Sequence, residues 1–266
     1  MKVLFVFNTS GIPSNFAKGL TKHGIESKVI SRTNPYGFDQ VTYMESSLKF
    51  LFRIFKEARH YDIVHISGLA YRSIAWLHLD LLNLRKKLVV HLHGSDMRKY
   101  TTRFLEQRLV DRVHKIIVAT PDLLSNLHSD KVVWVPTPVD TSLFKRLWNP
   151  LIKSDMNMMI ANSCLYIPKW YESTDIVKRW LESKEYYYAV MQDRVPHTDL
   201  PSVLSRYEYY FDQYTFPALS KTAIEAYYCG CKVINNFRMV TCDNYPFELH
   251  LLDESVKRLV NVYESL

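Results

Sequence analysis

Short apolar runs alternate with longer stretches of helical periodicity from one end of the chain to the other. Val3–Phe7, Ser27–Ser31, Asp62–Ile66, Leu88–Leu92, Lys115–Ala119 and Val132–Val135 are rich in β-branched and aromatic residues, and each predicts a strand. Their near-continuous hydrophobicity suits strands buried on both faces, hence a parallel sheet covered by helices. Helical stretches fall near 14–23, 43–59, 70–84, 101–113 and 121–128, the last opening on Pro121-Asp122, where proline fits a first turn. Together these predict a doubly wound α/β domain over residues 1–146. The segment from Leu147 to Asp155, with Pro150, breaks the alternation and is expected to be a linker. The rhythm then restarts, with strands at Asn157–Asn162, Tyr186–Met191, Tyr209–Asp212 and Lys232–Asn235 and helices near 172–183, 199–206, 220–229 and 254–264. A second, smaller Rossmann-like domain is expected over 147–266.

In open α/β sheets ligands bind outside the carboxyl ends of the strands, so the residues just after each strand carry the functional expectation. The first strand runs into Asn8-Thr-Ser-Gly11-Ile-Pro-Ser-Asn15, without Gly-x-Gly-x-x-Gly, which argues against an NAD or FAD oxidoreductase. The fourth opens on His91-Leu-His93-Gly-Ser-Asp96. His91 and His93 share a strand face and could bind metal, but no third ligand is visible, and no metal is expected. In the second domain Ser220 is a good N-cap for a helix that Gly230 ends. The amides of Ser220, Lys221 and Thr222 are expected to be unpaired, forming an anion seat worth ~0.3–2 kcal/mol per charge. Lys221 adds a cation. Glu225, one turn on, is either a ribose acceptor on the same side or a solvated helix residue.

Composition narrows the classes. Hydrophobic residues make up 47% and charged residues 23% of 266, which excludes wholesale disorder. With 7 Gly and 4 Cys, collagen-like and disulfide-framework readings fall away. Cys164, Cys229, Cys231 and Cys242 are expected to be buried structural thiols. The start lacks the pattern of a secretory signal, and no run reaches the ~20 apolar residues of a membrane span, so a cytoplasmic protein is expected. The net charge of +7 is uneven: residues 1–146 hold 22 basic and 12 acidic side chains, residues 147–266 hold 12 and 15. One anionic partner is implied. Over 45–61, Leu48, Leu51, Phe52 and Phe55 are expected to pack on the sheet, with Phe50 and Ile54 widening the apolar surface. Lys49, Arg53, Lys56 and Arg59 make the rest basic. That describes a core helix with a solvated face, or one lying peripherally on anionic lipid at the inner membrane face. No nucleic-acid motif is present and nucleic acid is not expected. Tyrosines in 186–188 and 207–214 read as core.

Four segments in this order resemble the GT-B glycosyltransferases, specifically the retaining family 4 (glycosyl transferases group 1). They are Tyr61-Asp-Ile-Val-His65 with Val90-His-Leu-His93-Gly-Ser-Asp96; Val135-Pro-Thr-Pro-Val-Asp140-Thr-Ser-Leu-Phe144; Ile167-Pro-Lys169; and Ser220-Lys-Thr-Ala-Ile-Glu225 through Ile234. The resemblance implies two Rossmann-like domains facing a cleft. It also implies transfer of a sugar, with retention and without a metal, from a UDP- or GDP-linked donor to a hydroxyl of a glycan or lipid-linked acceptor. It places Gly11, Lys169, Asp212, Ser220, Lys221, Thr222 and Glu225 at the donor, with Ser10 and Asp96 on the acceptor side. His93 falls near the reacting carbon, and His93, Lys169 and Glu225 form the catalytic set. The family's Glu-x7-Glu pair is incomplete, because Pro217 stands eight positions before Glu225. Asp212 and Gln213 are candidates to fill the role. The glycine-rich loop is reduced to Gly11, and the final helix, Asp253–Ser265, stands where a longer tail would pack back on the first domain. A catalytically silent binder of nucleotide or glycan and a nucleotide-sugar epimerase are the alternatives.

Overall fold

The computed structural model describes residues 1–34, 37–38, 41–43, 46–68, 86–94, 110–127, 129–145, 162–193 and 195–266. The expected helix at 70–84, most of that at 101–113, the 147–155 linker and Asp96 lie outside the described residues.

The chain divides into two compact units, Met1–Pro138 with Leu249–Leu266, and Val139–Glu248. The first holds a seven-stranded sheet: β1 (Lys2–Val6), β2 (Glu26–Ser31), β3 (Val41–Tyr43), β4 (Ile63–Ser67), β5 (Lys87–Leu92), β6 (Lys115–Val118) and β7 (Val132–Trp134). Its order is β3-β2-β1-β4-β5-β6-β7, and every pairing is parallel. Alternate residues of one strand face opposite layers. Leu4 and Val6 join Val64, Ile66 and Val90 under helix α2 (Ser47–Ala58), which contributes Phe50, Ile54 and Ala58. Val3 and Phe5 join Val89 and Ile117 on the other face, under α1 (Ile12–Lys22) and the C-terminal helix (Leu252–Glu264). That helix opens against α1: a Cβ on Gly19 would stand 2.3 Å from Val256 Cγ2, so only glycine lets the two axes approach this closely. The last helix thus belongs to the first unit, and the units divide at 138/139 and 248/249 rather than between 146 and 147.

The second unit holds β8 (Ser163–Tyr166), β9 (Tyr187–Val190), β10 (Tyr209–Phe211), β11 (Lys232–Asn235) and β12 (Arg238–Val240) in the order β12-β11-β10-β8-β9. Only β12 runs antiparallel. Its helices are α3 (Thr174–Ser183), α4 (Leu200–Leu204) and α5 (Lys221–Tyr228); the C-terminal helix is α6. The expected strand Asn157–Asn162 lies outside the described residues except for its last position, and β8 is the first described strand of this unit. Asn162 adopts a left-handed φ of 67°, its N–H donates to Glu208, and the strand begins after it. Pro121–Asn126 forms a 3-10 rather than an α-helix.

The face that α2 buries also differs from expectation. Phe50, Ile54 and Ala58 are the buried positions, whereas Leu48 and Phe52, expected in the core, are 78% and 72% exposed. Of the cysteines, Cys164, Cys229 and Cys231 are buried as expected, but Cys242 is exposed. No helix among the described residues is long and apolar enough to cross a membrane.

Candidate functional site

In the second unit, three of the expected donor residues meet at the carboxyl ends of the strands. Asp212 follows β10 and is fully buried. Its Oδ2 accepts from the Ser220 amide at 2.8 Å, and its Oδ1 accepts from Ser220 Oγ at 2.5 Å. Ser220 Oγ in turn accepts from the Ala223 amide at 3.3 Å, capping α5. Lys169, on the loop after β8, reaches this knot with Nζ 3.3 Å from both Asp212 Oδ1 and Ser220 Oγ. One of the three amides expected to be unpaired at the N-terminus of α5 is therefore engaged. The Ser220 N–H, expected to be unpaired, is taken by the carboxylate, and the cation beside it is tied to the same carboxylate.

One turn on, Glu225 is 1% exposed and so is no solvated helix residue. Its Oε1 lies 2.5 Å from Lys221 Nζ and 2.8 Å from His197 Nε2, and Lys221 and His197 stand 2.8 Å from each other. Burial pushes the Glu225 carboxyl up, but the Lys221 charge, the His197 hydrogen bond and the His197 charge outweigh it and hold the group below its ordinary value. The His197 ring packs on Phe144 at 4.8 Å between centroids, and Lys221 Nζ lies 6.0 Å from the centre of the same ring. Phe144 is held by the turn that Asp140 opens: Asp140 O accepts from the Phe144 amide, and Asp140 Oδ1 accepts from Ser142. Lys221 is thus a partner of Glu225 rather than a free charge at the helix start.

Gln213, the other candidate to replace the missing glutamate, is 3% exposed. Its Oε1 accepts from Tyr171 Oη at 2.5 Å and its amide donates to the Ala218 carbonyl. Pro217 is exposed, and its carbonyl accepts from Asn235 Nδ2 at 2.8 Å. Thr222 is half-buried in the first turn of α5. Both Asp212 and Gln213 use their polar atoms to hold the loop that leads into α5.

In the first unit the carboxyl ends of β1, β4 and β5 also converge. Thr9 Oγ1 donates to the Ser67 carbonyl at 3.1 Å, and Ser67 Oγ bonds His93 Nε2 at 2.7 Å. Ser10 is exposed at φ 53°, and Gly11 follows at φ 69° with the Phe38 ring so close that a Cβ would meet it at 1.8 Å. The His93 ring stacks on His91 at 4.4 Å, and His91 lies 5.4 Å from His65. His65 is fully buried, with Nδ1 2.6 Å from Tyr263 Oη. Burial, with the His93 charge adding to it, drives His65 down to about 3 and His91 well below its ordinary value. Both His91 nitrogens lack a hydrogen-bond partner among the described residues. Among those residues, no group of three or more His, Cys, Asp or Glu is arranged to hold a metal.

The first unit thus gathers His93, Ser10 and Gly11, and the second gathers Lys169, Asp212, Ser220, Lys221, Thr222 and Glu225. His197 is the member that the sequence did not single out. It sits in an irregular segment before a five-residue helix, and no pattern along the chain ties it to a glutamate 28 positions away. What the arrangement offers chemically is a helix start bearing two lysines and two carboxylates in matched pairs.

Residues 14–143 match the family model of Glycosyltransferase Family 4. Among solved structures the chain is similar to HepE (Alr3699) of Anabaena in complex with UDP and glucose, at 12% identity and TM-score 0.66, over 100% of both chains. It is also similar to an α-glucosyltransferase in complex with UDP and a mismatched 13-mer DNA, at 12% identity and TM-score 0.62, over 100% of this chain and 90% of that one. AviGT4, a glycosyltransferase of avilamycin A biosynthesis, is similar at 15% identity and TM-score 0.58, over 99% and 97%. These relatives are GT-B glycosyltransferases, and the fold of this chain is theirs: mixed α/β, with one large parallel sheet and a second, smaller one. No curated protein sequence matches the chain.

Proposed function

We propose that this GT-B chain, with its Glycosyltransferase Family 4 match, moves a sugar from a nucleoside-diphosphate donor to a hydroxyl of a glycan or lipid-linked acceptor, with retention and without a metal. The observation that carries the reading is the cluster at the start of α5, where Lys169, Ser220 and Asp212 form one hydrogen-bonded knot and Glu225 lies one turn below. The ligands bound in the similar structures, UDP and glucose among them, favour a uridine diphosphate donor for this chain as well.

In this reading Lys169 and the first turn of α5 hold the diphosphate, while Asp212 keeps Lys169 and Ser220 in place. Glu225 accepts from the ribose hydroxyls, and the Lys221 that it then releases turns to the phosphates. The acceptor oxygen attacks the anomeric carbon from the face that the leaving diphosphate vacates. The C–O bond to the diphosphate breaks, and a leaving phosphate oxygen takes the acceptor proton. No side chain serves as nucleophile, so the protein's contribution is electrostatic stabilisation of charge growing on the leaving group. His93, held by Ser67, hydrogen-bonds the donor sugar, and Ser10 stands on the acceptor side.

A thermal-shift panel of UDP, GDP, ADP, CDP and TDP tests this, because a ligand that binds only the native state raises stability as its concentration passes the dissociation constant. One diphosphate should stabilise the wild type, and Glu225→Gln should weaken that effect. Lys169→Met should weaken diphosphate but spare the free nucleoside. No shift with any diphosphate overturns the donor site. Pro217 in place of a glutamate favours a second reading, a protein that binds the nucleotide without transferring its sugar; a stabilising diphosphate with no transfer to any acceptor would establish it.

A further inference from the structure

From the exposed face of α2 we infer a docking surface for an anionic lipid membrane, independent of the donor site. Leu48 and Phe52 stand one turn apart on the same side of the helix at 78% and 72% exposure. Both exceed every other exposed large hydrophobic residue of the described chain, the next being Trp170 at 68%. They are not spare core residues, because the core stripe of α2 is already filled by Phe50, Ile54 and Ala58 at 0%, 1% and 4%. Two large apolar side chains held out in water cost free energy unless something covers them.

The surroundings say what covers them. Leu48 and Phe52 share one surface depression with Lys49, Arg53 and Lys56, and Arg59 follows at the end of the helix. The lone carboxylate of the helix, Glu57, is 2.9 Å from Lys28 and 2.5 Å from Arg53. Its negative charge is matched within the protein, so among the described residues no carboxylate pairs with Lys49 or Lys56 beside the apolar pair. An apolar tip ringed by cations fits the boundary between anionic head groups and acyl chains: the rings and methyls enter, and the lysine stems reach back to the phosphates. The excess of basic residues over 1–146 extends the same attraction beyond the helix. A protein partner would need an acidic rim around an apolar pocket; a lipid surface supplies both features without a specific fit. The sequence pattern alone had turned these two residues inward, so only the orientation of α2 makes the surface visible.

Co-sedimentation of the full chain with vesicles tests the inference. Phosphatidylcholine vesicles containing phosphatidylglycerol should pull the protein down, pure phosphatidylcholine should not, and salt should reduce the pelleted fraction. Leu48→Ser with Phe52→Ser, and separately Lys49→Glu with Lys56→Glu, should each lower vesicle affinity about tenfold or more, since both the apolar and the electrostatic contributions are needed. All four positions are exposed, so the melting temperature should hold and serve as the folding control. Absence of binding to anionic vesicles overturns the inference, as does binding that survives both double variants. Dimerisation in solution that Leu48→Ser with Phe52→Ser abolishes would also overturn it, assigning the face to a second copy. Preference for a single-stranded oligonucleotide over vesicles would do the same.

Discussion

Acid should loosen this protein well before its carboxylates titrate, and the cause is the histidine row of the first unit. His65 and His91 are fully buried among Phe5, Phe16 and His93, and burial holds both imidazoles neutral, His65 down to about 3. In the unfolded chain each returns to its ordinary value of 6.5. Between those limits the unfolded chain binds more protons than the native one, so stability is complete at alkaline pH and falls as pH drops below the unfolded value. At about pH 5 the neutral His65 imidazole costs the native state about 2 kcal/mol, a figure set almost wholly by the unfolded pKa because the native one is about 3. His65 alone therefore removes about 2 kcal/mol between about pH 8 and pH 5, against the 5–15 kcal/mol of a typical domain, and His91, lowered by the same burial, acts in the same direction. His114, lowered by partial burial and by Lys87 and Lys131, adds to the same side. Glu57, Glu208 and Glu225 are lowered too, but their contributions are lost only below about pH 4.5, outside this window. Urea unfolding at both pH values measures the difference directly. In His91→Leu no hydrogen bond is lost among the described residues, and part of the pH-dependent loss should disappear whatever the variant's stability at pH 8. Equal unfolding free energies at both pH values in the wild type, or an undiminished loss in His91→Leu, would refute the reasoning.

Three further outcomes follow from particular contacts. Gly11→Ala places a Cβ at φ 69° against the Phe38 ring and should cost roughly 1–2 kcal/mol for the left-handed backbone alone, read as a lower urea midpoint; an unchanged midpoint would mean that the loop moves freely. Gly19→Ala drives a methyl into Val256 and should destabilise by roughly 1–3 kcal/mol, with faster hydrogen exchange in α6 than in the second unit. Lys221→Met should destabilise the protein by less than the ~3–5 kcal/mol of a fully stranded buried charge, because His197 still reaches Glu225, and Lys221→Met with Glu225→Gln should recover part of the loss; simple additivity of the two single losses would argue against a coupled pair.

Much of the first sheet was legible because its strands are buried on both faces and therefore read as unbroken apolar runs. All six expected runs lie within a residue of β1, β2, β4, β5, β6 and β7 at both ends. The edge strand β3 escaped, since Val41–Tyr43 is half-exposed and too short to show a pattern. The hairpin into β12 escaped for another reason. Its two-residue turn is Asn236-Phe237, both at positive φ, where Asn-Gly would be the ordinary signal. Phe237 tolerates that backbone while its ring packs on Tyr214, Phe211 and Trp180.

The sequence by itself determined the alternation of strand and helix, the cap at Ser220, and the residue types at the strand ends, because those depend on neighbours a few positions apart. Tertiary structure decided how the charges are spent. Asp212 closes on Ser220 and Lys169 across gaps of 8 and 43 positions, and His197 comes to Glu225 from 28 positions away. It also decided which side of α2 is buried. Leu48-Lys-Phe50-Leu-Phe52-Arg-Ile54-Phe55 offers apolar residues on every side of a helix, so periodicity cannot choose among them. The choice fell to the shape of the sheet beneath, where Leu4, Val64 and Val90 receive Phe50 and Ile54 and leave Leu48 and Phe52 facing water.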